Sequence, residues 1–128
     1  MQSMARQLIK SGSPFEATMG FSRAVRVGNM VAVAGTAPIW PDGTVDPDPY
    51  AQARRCFEII EAALTDAGAG LASVFRTRMF IADPSVMDAV GRAHREFFGE
   101  IQPAATMVVA GFLDERWKVE IEADAVVG

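Results

Sequence analysis

The stretch PAATMVVAGFLDERWKVEIEADAV, residues 103–126, decides the fold. It predicts two strands joined by a polar turn at residues 114–116. Side chains on a strand alternate between the two faces of its sheet. On the second strand, four apolar side chains therefore share one face and four charged side chains share the other: Val119, Ile121, Ala123 and Ala125 against Lys118, Glu120, Glu122 and Asp124. Three acids on one face are costly to bury without partners, so we expect this face to meet water, basic groups or a cleft that uses a carboxylate.

The same stretch carries a family resemblance. PAATM at residues 103–107, followed by a hydrophobic strand, a short turn and VEIEA at residues 119–123, resembles the C-terminal signature of the RidA/YjgF family. Those proteins are small trimeric enamine/imine deaminases and their relatives. GFSRAV at residues 20–25 with GN at 28–29, and GTAP at 35–38, extend the resemblance over nearly the whole chain.

The remaining elements follow from local patterns. Residues 6–10 are a candidate first strand, broken at residues 11–14, and alternation over residues 21–36 predicts a β-hairpin that turns at Gly28-Asn29. An apolar stripe over residues 49–67, opened by Asp48-Pro49 and closed by Gly68, predicts a helix. Residues 74–82 predict a strand with Phe75, Thr77, Met79 and Ile81 on one side, and a second helix runs from Asp83-Pro84 to Gly99. The predicted order is βββαβαββ.

This order predicts an α+β fold with an uncovered sheet face. Two helices can cover only one face of such a sheet, and Phe and Val side chains on the other face favour self-association. The resemblance implies a chorismate-mutase-like single domain over residues 1–128. It further implies a mixed six-stranded sheet with two helices on one face, assembled as a homotrimer with a barrel-like core.

Composition limits the classes of function. The 128 residues are 50% hydrophobic with a net charge of −4, which argues against a strong electrostatic grip on nucleic acid. No apolar run is long enough for a membrane span, and residues 1–10 have no long apolar run, so we expect neither a membrane span nor a secretory signal. Cys56 is the lone cysteine, so we expect a reducing, cytoplasmic location. One histidine and one cysteine form no metal-ligand set, and we expect neither metal nor cofactor.

Glu120 is the candidate catalytic residue. In the deaminases that the chain resembles, the first glutamate of the VEIE pattern is thought to position or activate the attacking water. A carboxylate at a subunit interface can have its pKa raised by desolvation, which suits general acid/base chemistry. The alternative is that the acids of this strand are solvated or pair with arginines of a neighbouring strand.

The candidate substrate-binding set has six members: Phe21, Ala34, Gly35, Thr106, Met107 and Arg78. The resemblance implies the first five, of which several carry less polar side chains than the family pattern, and Arg78 is included as a candidate substitute cation. Phe21 stands where many members have tyrosine, Ala34 where they have serine, and Met107 where they have cysteine. The asparagine of the second helix aligns with Gly91.

The main departure is Ala105, because the family deaminases carry at that position the arginine that grips the substrate carboxylate. A charge-assisted hydrogen bond contributes ~1.5–3 kcal/mol, so its loss weakens carboxylate binding by roughly 10–150-fold. Arg78 or Arg23 are candidate substitutes, although either can instead pair with the acids of the last strand. A more apolar pocket would suit a neutral or aromatic imine.

Two hypotheses follow. The first is a homotrimeric enzyme that hydrolyses an enamine or imine to a carbonyl compound and ammonia at clefts between subunits. The second is a non-catalytic trimer of the same family that binds a small molecule or stabilises a partner. Endoribonuclease activity, attributed to some members, is disfavoured because the chain offers no His or Lys acid/base pair. The one histidine, His94, is interpreted as surface or core packing on the second helix, and Cys56 as a buried inert thiol.

Overall fold

The computed structural model describes residues 5–128. It has one mixed six-stranded sheet in the order β1-β2-β3-β6-β4-β5. The α+β class and the six strands are therefore as predicted, whereas residues 1–4 of the expected domain lie outside the described range. The strands are β1 Arg6–Ile9, β2 Ala24–Val27, β3 Met30–Thr36, β4 Val74–Ile81, β5 Ala104–Val109 and β6 Val119–Val126; the helices are α1 Pro14–Met19, α2 Pro49–Asp66 and α3 Met87–Phe98.

Helix α2 forms where its sequence signals predict. The Asp48 side chain accepts a hydrogen bond from the Ala51 amide at 3.3 Å, and Pro49 occupies the first turn, where its missing N–H costs nothing. The apolar stripe, including Phe57 and Ile60, is fully buried against the sheet. Gly68 follows the helix end with φ +80°, a conformation that glycine adopts without strain.

The second predicted helix begins later than Asp83-Pro84. Asp83 does accept a hydrogen bond from the Ser85 amide at 2.8 Å, but the turn that follows, Pro84–Val86, is a 3₁₀ turn. Helix α3 starts only at Met87 and buries Val90 and Phe98. Its end beside Gly99 agrees with the prediction.

Helix α1 was not predicted, because residues 11–14 read as a break. The Ser13 side chain accepts from the Phe15 amide at 3.3 Å, Pro14 starts the helix, and Gly20 ends it with φ +77°. A helix of six residues is too short to show an apolar period, so only its caps could have signalled it.

The last two strands are not neighbours, although both form. Strand β4 lies between them, parallel to β5 and antiparallel to β6. The alternation predicted for β6 is confirmed, since Val119, Ile121, Ala123 and Ala125 are buried and the acids are not.

The prediction that Phe75 shares a face of β4 with Thr77, Met79 and Ile81 is wrong. The β4–β6 register shifts between Val74 and Arg76, so Val74 is buried and Phe75 is exposed. Residues after the shift keep the predicted alternation, with Thr77, Met79 and Ile81 buried.

Helices α2 and α3 pack together over the apolar face of the sheet, with α2 against β3 and β6. Neither of these two helices covers the opposite face, here called the open face. It carries the acids of β6 together with Leu8 and Met30, which remain 49% and 45% exposed. The candidate site lies on this face.

Candidate active site

Glu120 projects from the open face between two strands. Its neighbours in sequence, Val119 and Ile121, are buried under the helices, so its side chain lies on the opposite face. The strand register pairs Glu120 with Phe80 on β4, while Ile121 pairs with Thr36 on β3. The carboxylate is therefore held by the centre of the sheet rather than by a loop.

A bulge in β3 makes room for this carboxylate. Between Val33 and Thr36, β3 uses one more residue than β6, which places Gly35 in the extra segment. A Cβ built on Gly35 would lie 2.9 Å from Glu120 Oε1. A side chain at this position would displace the flexible end of Glu120, so glycine leaves room for the carboxylate where it lies.

Arg23 holds the other side of the bulge. Its Nη1 donates to the Gly35 carbonyl at 3.1 Å and to Thr36 Oγ1 at 2.9 Å. Its guanidinium carbon lies 5.8 Å from the centroid of the Phe21 ring. Burial lowers the pKa of the Arg23 guanidinium, while the charges of Glu16 and Glu120 oppose that shift.

The Glu120 carboxylate is half-buried and without a partner. It forms no hydrogen bond and no ion pair with any residue in 5–128. Burial raises the pKa of Glu120; the positive charge of Arg23 lowers it, and the negative charge of Glu122 raises it further. A raised pKa brings a carboxyl group closer to the range in which it can both accept and donate a proton.

Arg78 forms ion pairs with acids of β6, which is the alternative to substrate binding given for it in the sequence analysis. Its Nη1 lies 3.2 Å from Glu122 Oε1 and 3.1 Å from Asp124 Oδ2. These contacts explain how two of the three acids on this face are compensated. Contact of Arg78 with a substrate stays a prediction.

Thr106 and Met107 lie on opposite faces of β5. Thr106 is in register with Arg78, which places it on the open face, whereas Met107 is in register with buried Met79. Met107 lines a groove of about 340 Å³ between β5 and α3, here called the α3 groove. The other residues lining the α3 groove are Met87, Asp88, Gly91, Arg92 and Arg95.

The structure thus brings some of the predicted site residues together and separates others. Phe21, Ala34 and Gly35 surround Arg23 beside Glu120. Thr106 lies on the same face but at the edge strand. Met107 and the α3 groove lie on the far side of the sheet, so a single chain does not place them against Glu120.

Thr36 was not predicted to belong to the site. It is fully buried, and its hydroxyl accepts from Arg23 and donates to the Ala34 carbonyl at 2.8 Å. The Cys56 thiol donates to the Thr36 carbonyl at 3.2 Å, and burial raises the pKa of that thiol, in keeping with an inert cysteine. The sequence signal for Thr36 is a single polar residue at the C-terminal end of an apolar strand.

His94, on α3, is partly buried and its ring reaches β4. Its Nε2 lies 2.8 Å from Thr77 Oγ1, and its ring meets the Phe57 ring edge-on at 5.7 Å between centroids. Burial lowers the pKa of His94, which favours the neutral ring. Across residues 5–128, no three His, Cys, Asp or Glu side chains converge in a way that could hold a metal ion.

Comparison with known proteins identifies the family. The family model described as Endoribonuclease L-PSP matches residues 11–127. The solved structure of Rv2704 from Mycobacterium tuberculosis, described as a member of the YjgF/YER057c/UK114 family, superposes with a TM-score of 0.89 at 44% identity, covering 96% of this chain and 100% of that one. The protein is a member of the RidA/YjgF family.

Two sequence relatives are similar to this RidA/YjgF protein over most of their lengths. An uncharacterized protein of Streptomyces coelicolor is 42% identical over 130 residues, which span 100% of this chain and 97% of the relative. The 2-iminobutanoate/2-iminopropanoate deaminase of Escherichia coli K12 is 32% identical over 110 residues, which span 83% of this chain and 86% of the relative.

In the part of the chain that the structure describes, no helix is both long enough and apolar enough to cross a lipid bilayer.

Proposed function

We propose that this RidA/YjgF protein hydrolyses a reactive enamine or imine to a carbonyl compound and ammonia, with Glu120 as the acid/base group. The observation that carries the proposal is the half-buried Glu120 carboxylate, which has no hydrogen-bond or ion-pair partner within residues 5–128. It lies close to Gly35 and near the positive charge of Arg23. The other two acids of the open face are ion-paired with Arg78 and are therefore less available for proton transfer.

The proposed reaction needs one group that moves protons in both directions. Glu120 takes a proton from water as the water oxygen bonds to the imine carbon; the C=N π electrons move to nitrogen, and Glu120 gives the proton to that nitrogen. The resulting carbinolamine then loses ammonia: Glu120 takes the hydroxyl proton and passes it to the amine, the C–N bond breaks as ammonia leaves, and the carbonyl forms. An enamine first takes a proton on carbon and loses one from nitrogen to become the imine. A carboxyl group with a raised pKa suits these transfers, and no metal or cofactor is invoked.

The proposal includes a homotrimer with a barrel-like core and sites at the subunit boundaries. Two features support it: apolar side chains on the open face, and strand β5, which lies at the sheet edge with most of its side chains exposed. Assembly would also give Met107 and the α3 groove of one chain a route to Glu120 of the next. A cytoplasmic location belongs to the same proposal and fits the reduced, buried Cys56.

The test is ammonia release from imines generated in situ. We expect Glu120→Ala to lose about 10²–10⁴-fold in rate, the usual contribution of a general acid/base. Glu122→Ala is the matched control, because it removes a carboxylate two residues away on the same face that is already paired with Arg78. If wild type and buffer release ammonia equally across carboxylated and neutral imines, the proposal is wrong.

The second candidate is a trimer that binds a small molecule without turning it over. It is favoured by the low polarity at three predicted site positions, Phe21, Ala105 and Met107. Calorimetric binding of an amino acid or keto acid in the absence of any ammonia release from the matching imine would support it.

A further inference from the structure

Arg23 occupies a position whose backbone is fixed on both sides. It lies immediately before β2, where its amide donates to the Ile9 carbonyl at 2.8 Å and its carbonyl accepts from the Ala34 amide at 2.9 Å. The side chain therefore starts from a rigid point between β1 and β3. From there it reaches the bulge rather than solvent.

The guanidinium supplies hydrogen bonds that the bulge needs. A bulge disrupts the strand ladder locally, and a buried carbonyl without a partner is rare in folded proteins. Arg23 Nη1 satisfies the Gly35 carbonyl at 3.1 Å and also binds Thr36 Oγ1 at 2.9 Å. Because Glu120 Oε1 lies close to Gly35, the side chain that holds the bulge in place also holds the backbone next to the carboxylate.

Arg23 is a poor choice for a structural role alone. Its Nε is buried and has no hydrogen-bond partner within residues 5–128. A desolvated cation with an unpaired donor is destabilising, and such groups call for an explanation beyond packing. A neutral side chain such as glutamine could satisfy Gly35 without burying a charge.

The charged and titratable groups around Glu120 can be named element by element. Arg23 faces it from the segment before β2, Glu122 from its own strand, and the Cys56 thiol from α2 beneath the sheet. Glu16 of α1 acts on Arg23 from the other side. On β4, Arg78 is engaged by Glu122 and Asp124, which leaves Arg23 as the cation that acts on Glu120.

We propose that Arg23 is a positioning residue for Glu120: it fixes the β3 bulge next to which the carboxylate lies, and it places a positive charge beside that carboxylate. The inference rests on Glu120 being the acid/base group proposed above. Burial raises the pKa of Glu120, and the positive charge of Arg23 opposes that shift.

The first test follows the Glu120 carboxyl carbon by ¹³C NMR against pH in the full-length protein, with the resonance assigned by its absence in Glu120→Gln. Arg23→Gln, which keeps a donor but removes the charge, should shift the midpoint of the Glu120 titration upward. Arg23→Lys, which keeps the charge but loses the planar fork, should shift it less. An unchanged midpoint in Arg23→Gln overturns the inference.

A second test needs no variant of Arg23. In wild type, the ¹⁵Nε resonance of Arg23 should titrate with the same midpoint as Glu120, and this titration should vanish in Glu120→Gln. Persistence of the titration in Glu120→Gln, or its absence in wild type, overturns the inference.

Neither NMR measurement requires turnover, so the two proposals can fail separately. Coupled titration without ammonia release supports the role of Arg23 and defeats the proposed reaction. Ammonia release without coupling supports the reaction and defeats the role of Arg23. Where coupled titration and ammonia release are both observed, the acidic limb of the pH–rate profile should move to higher pH in Arg23→Gln. In Arg23→Lys it should return toward its wild-type position.

Discussion

Burial of the Glu120 carboxylate lowers the stability of the folded chain when that group is ionised. Its pKa is raised, so the folded chain disfavours the ionised carboxylate relative to the unfolded chain. The stability that this group contributes is fully present below its ordinary pKa of 4.5 and is lost as pH rises through the folded value.

Glu120→Gln should therefore raise the free energy of unfolding at pH 7. The gain should be smaller than the ~1–3 kcal/mol cost of a fully buried unpaired group, because this side chain is only partly buried. The gain should fade as pH drops below the ordinary value. Urea denaturation at pH 7 and pH 4 measures both. Glu122→Gln breaks an ion pair with Arg78 and should give no such gain; a loss of stability in Glu120→Gln at pH 7 would contradict the argument.

Ala105 is the residue at which this chain departs most from the family deaminases. It is in register with buried Thr77, so its side chain lies on the same side of β5 as Met107 and the α3 groove. Ala105→Arg should add one charge-assisted contact to a substrate carboxylate. We expect kcat/KM for ammonia release from 2-iminobutanoate to rise by roughly 10–150-fold.

Ala104→Arg is the matched control for that change. Ala104 is also exposed, but it is in register with Arg76 and points to the opposite face. An equal effect of both arginines would mean that added charge, rather than placement, raises the rate.

Among the elements, α2 and β6 are joined by one buried glutamine. Gln52 is fully buried, and its Nε2 donates to the carbonyls of Asp46 at 2.7 Å and Arg116 at 2.9 Å. Its Oε1 accepts from the Lys118 amide at 2.7 Å, immediately before β6 begins. This contact sets the start of the strand that carries Glu120.

Gln52→Leu should lower the free energy of unfolding by about 2–4 kcal/mol, because it leaves three backbone groups without partners at similar side-chain volume. Urea denaturation measures the loss. Hydrogen exchange at the Lys118 amide should accelerate more than exchange in the middle of α2. Glu58→Leu, on the exposed face of the same helix, should change stability by less than about 0.5 kcal/mol. A neutral Gln52→Leu would mean that the start of β6 is fixed by other contacts.

The elements that could be predicted are those with signals inside their own sequence. Asp48-Pro49 and a long apolar stripe give α2, and strict alternation gives the two faces of β6. Helix α1 has caps but no period, and the position of β4 between β5 and β6 depends on contacts between residues far apart in sequence. Spacing carries no information about such contacts.

The candidate site follows the same division. Glu120 and Gly35 could be chosen from sequence because their local patterns match the family. Their contact depends on a one-residue bulge, and the role of Arg23 depends on a hydrogen bond across 12 residues of separation to the Gly35 carbonyl. Neither is encoded by residue type alone.

At the scale of the whole molecule, the open face is the surface on which large apolar side chains stay exposed to solvent. Leu8 and Met30 stay 49% and 45% exposed on neighbouring parts of the sheet, and Val108 on the edge strand stays 44% exposed. Burying this area against other copies would remove apolar surface from water at roughly 25 cal/mol per Å². Such a surface is typical of an interface between subunits.

We therefore expect the wild-type chain to sediment at three times its own mass at micromolar concentration, and Met30→Glu to sediment as a monomer because it places a charge in the apolar face. Leu113→Glu is the control: Leu113 is 94% exposed in the loop before β6, and it should leave the mass unchanged. Sedimentation velocity measures both. If sites form between subunits, Met30→Glu should also lose ammonia release while the Glu120 titration by NMR survives. A wild-type monomer would exclude shared sites, and an active Met30→Glu monomer would place the whole reaction on one chain.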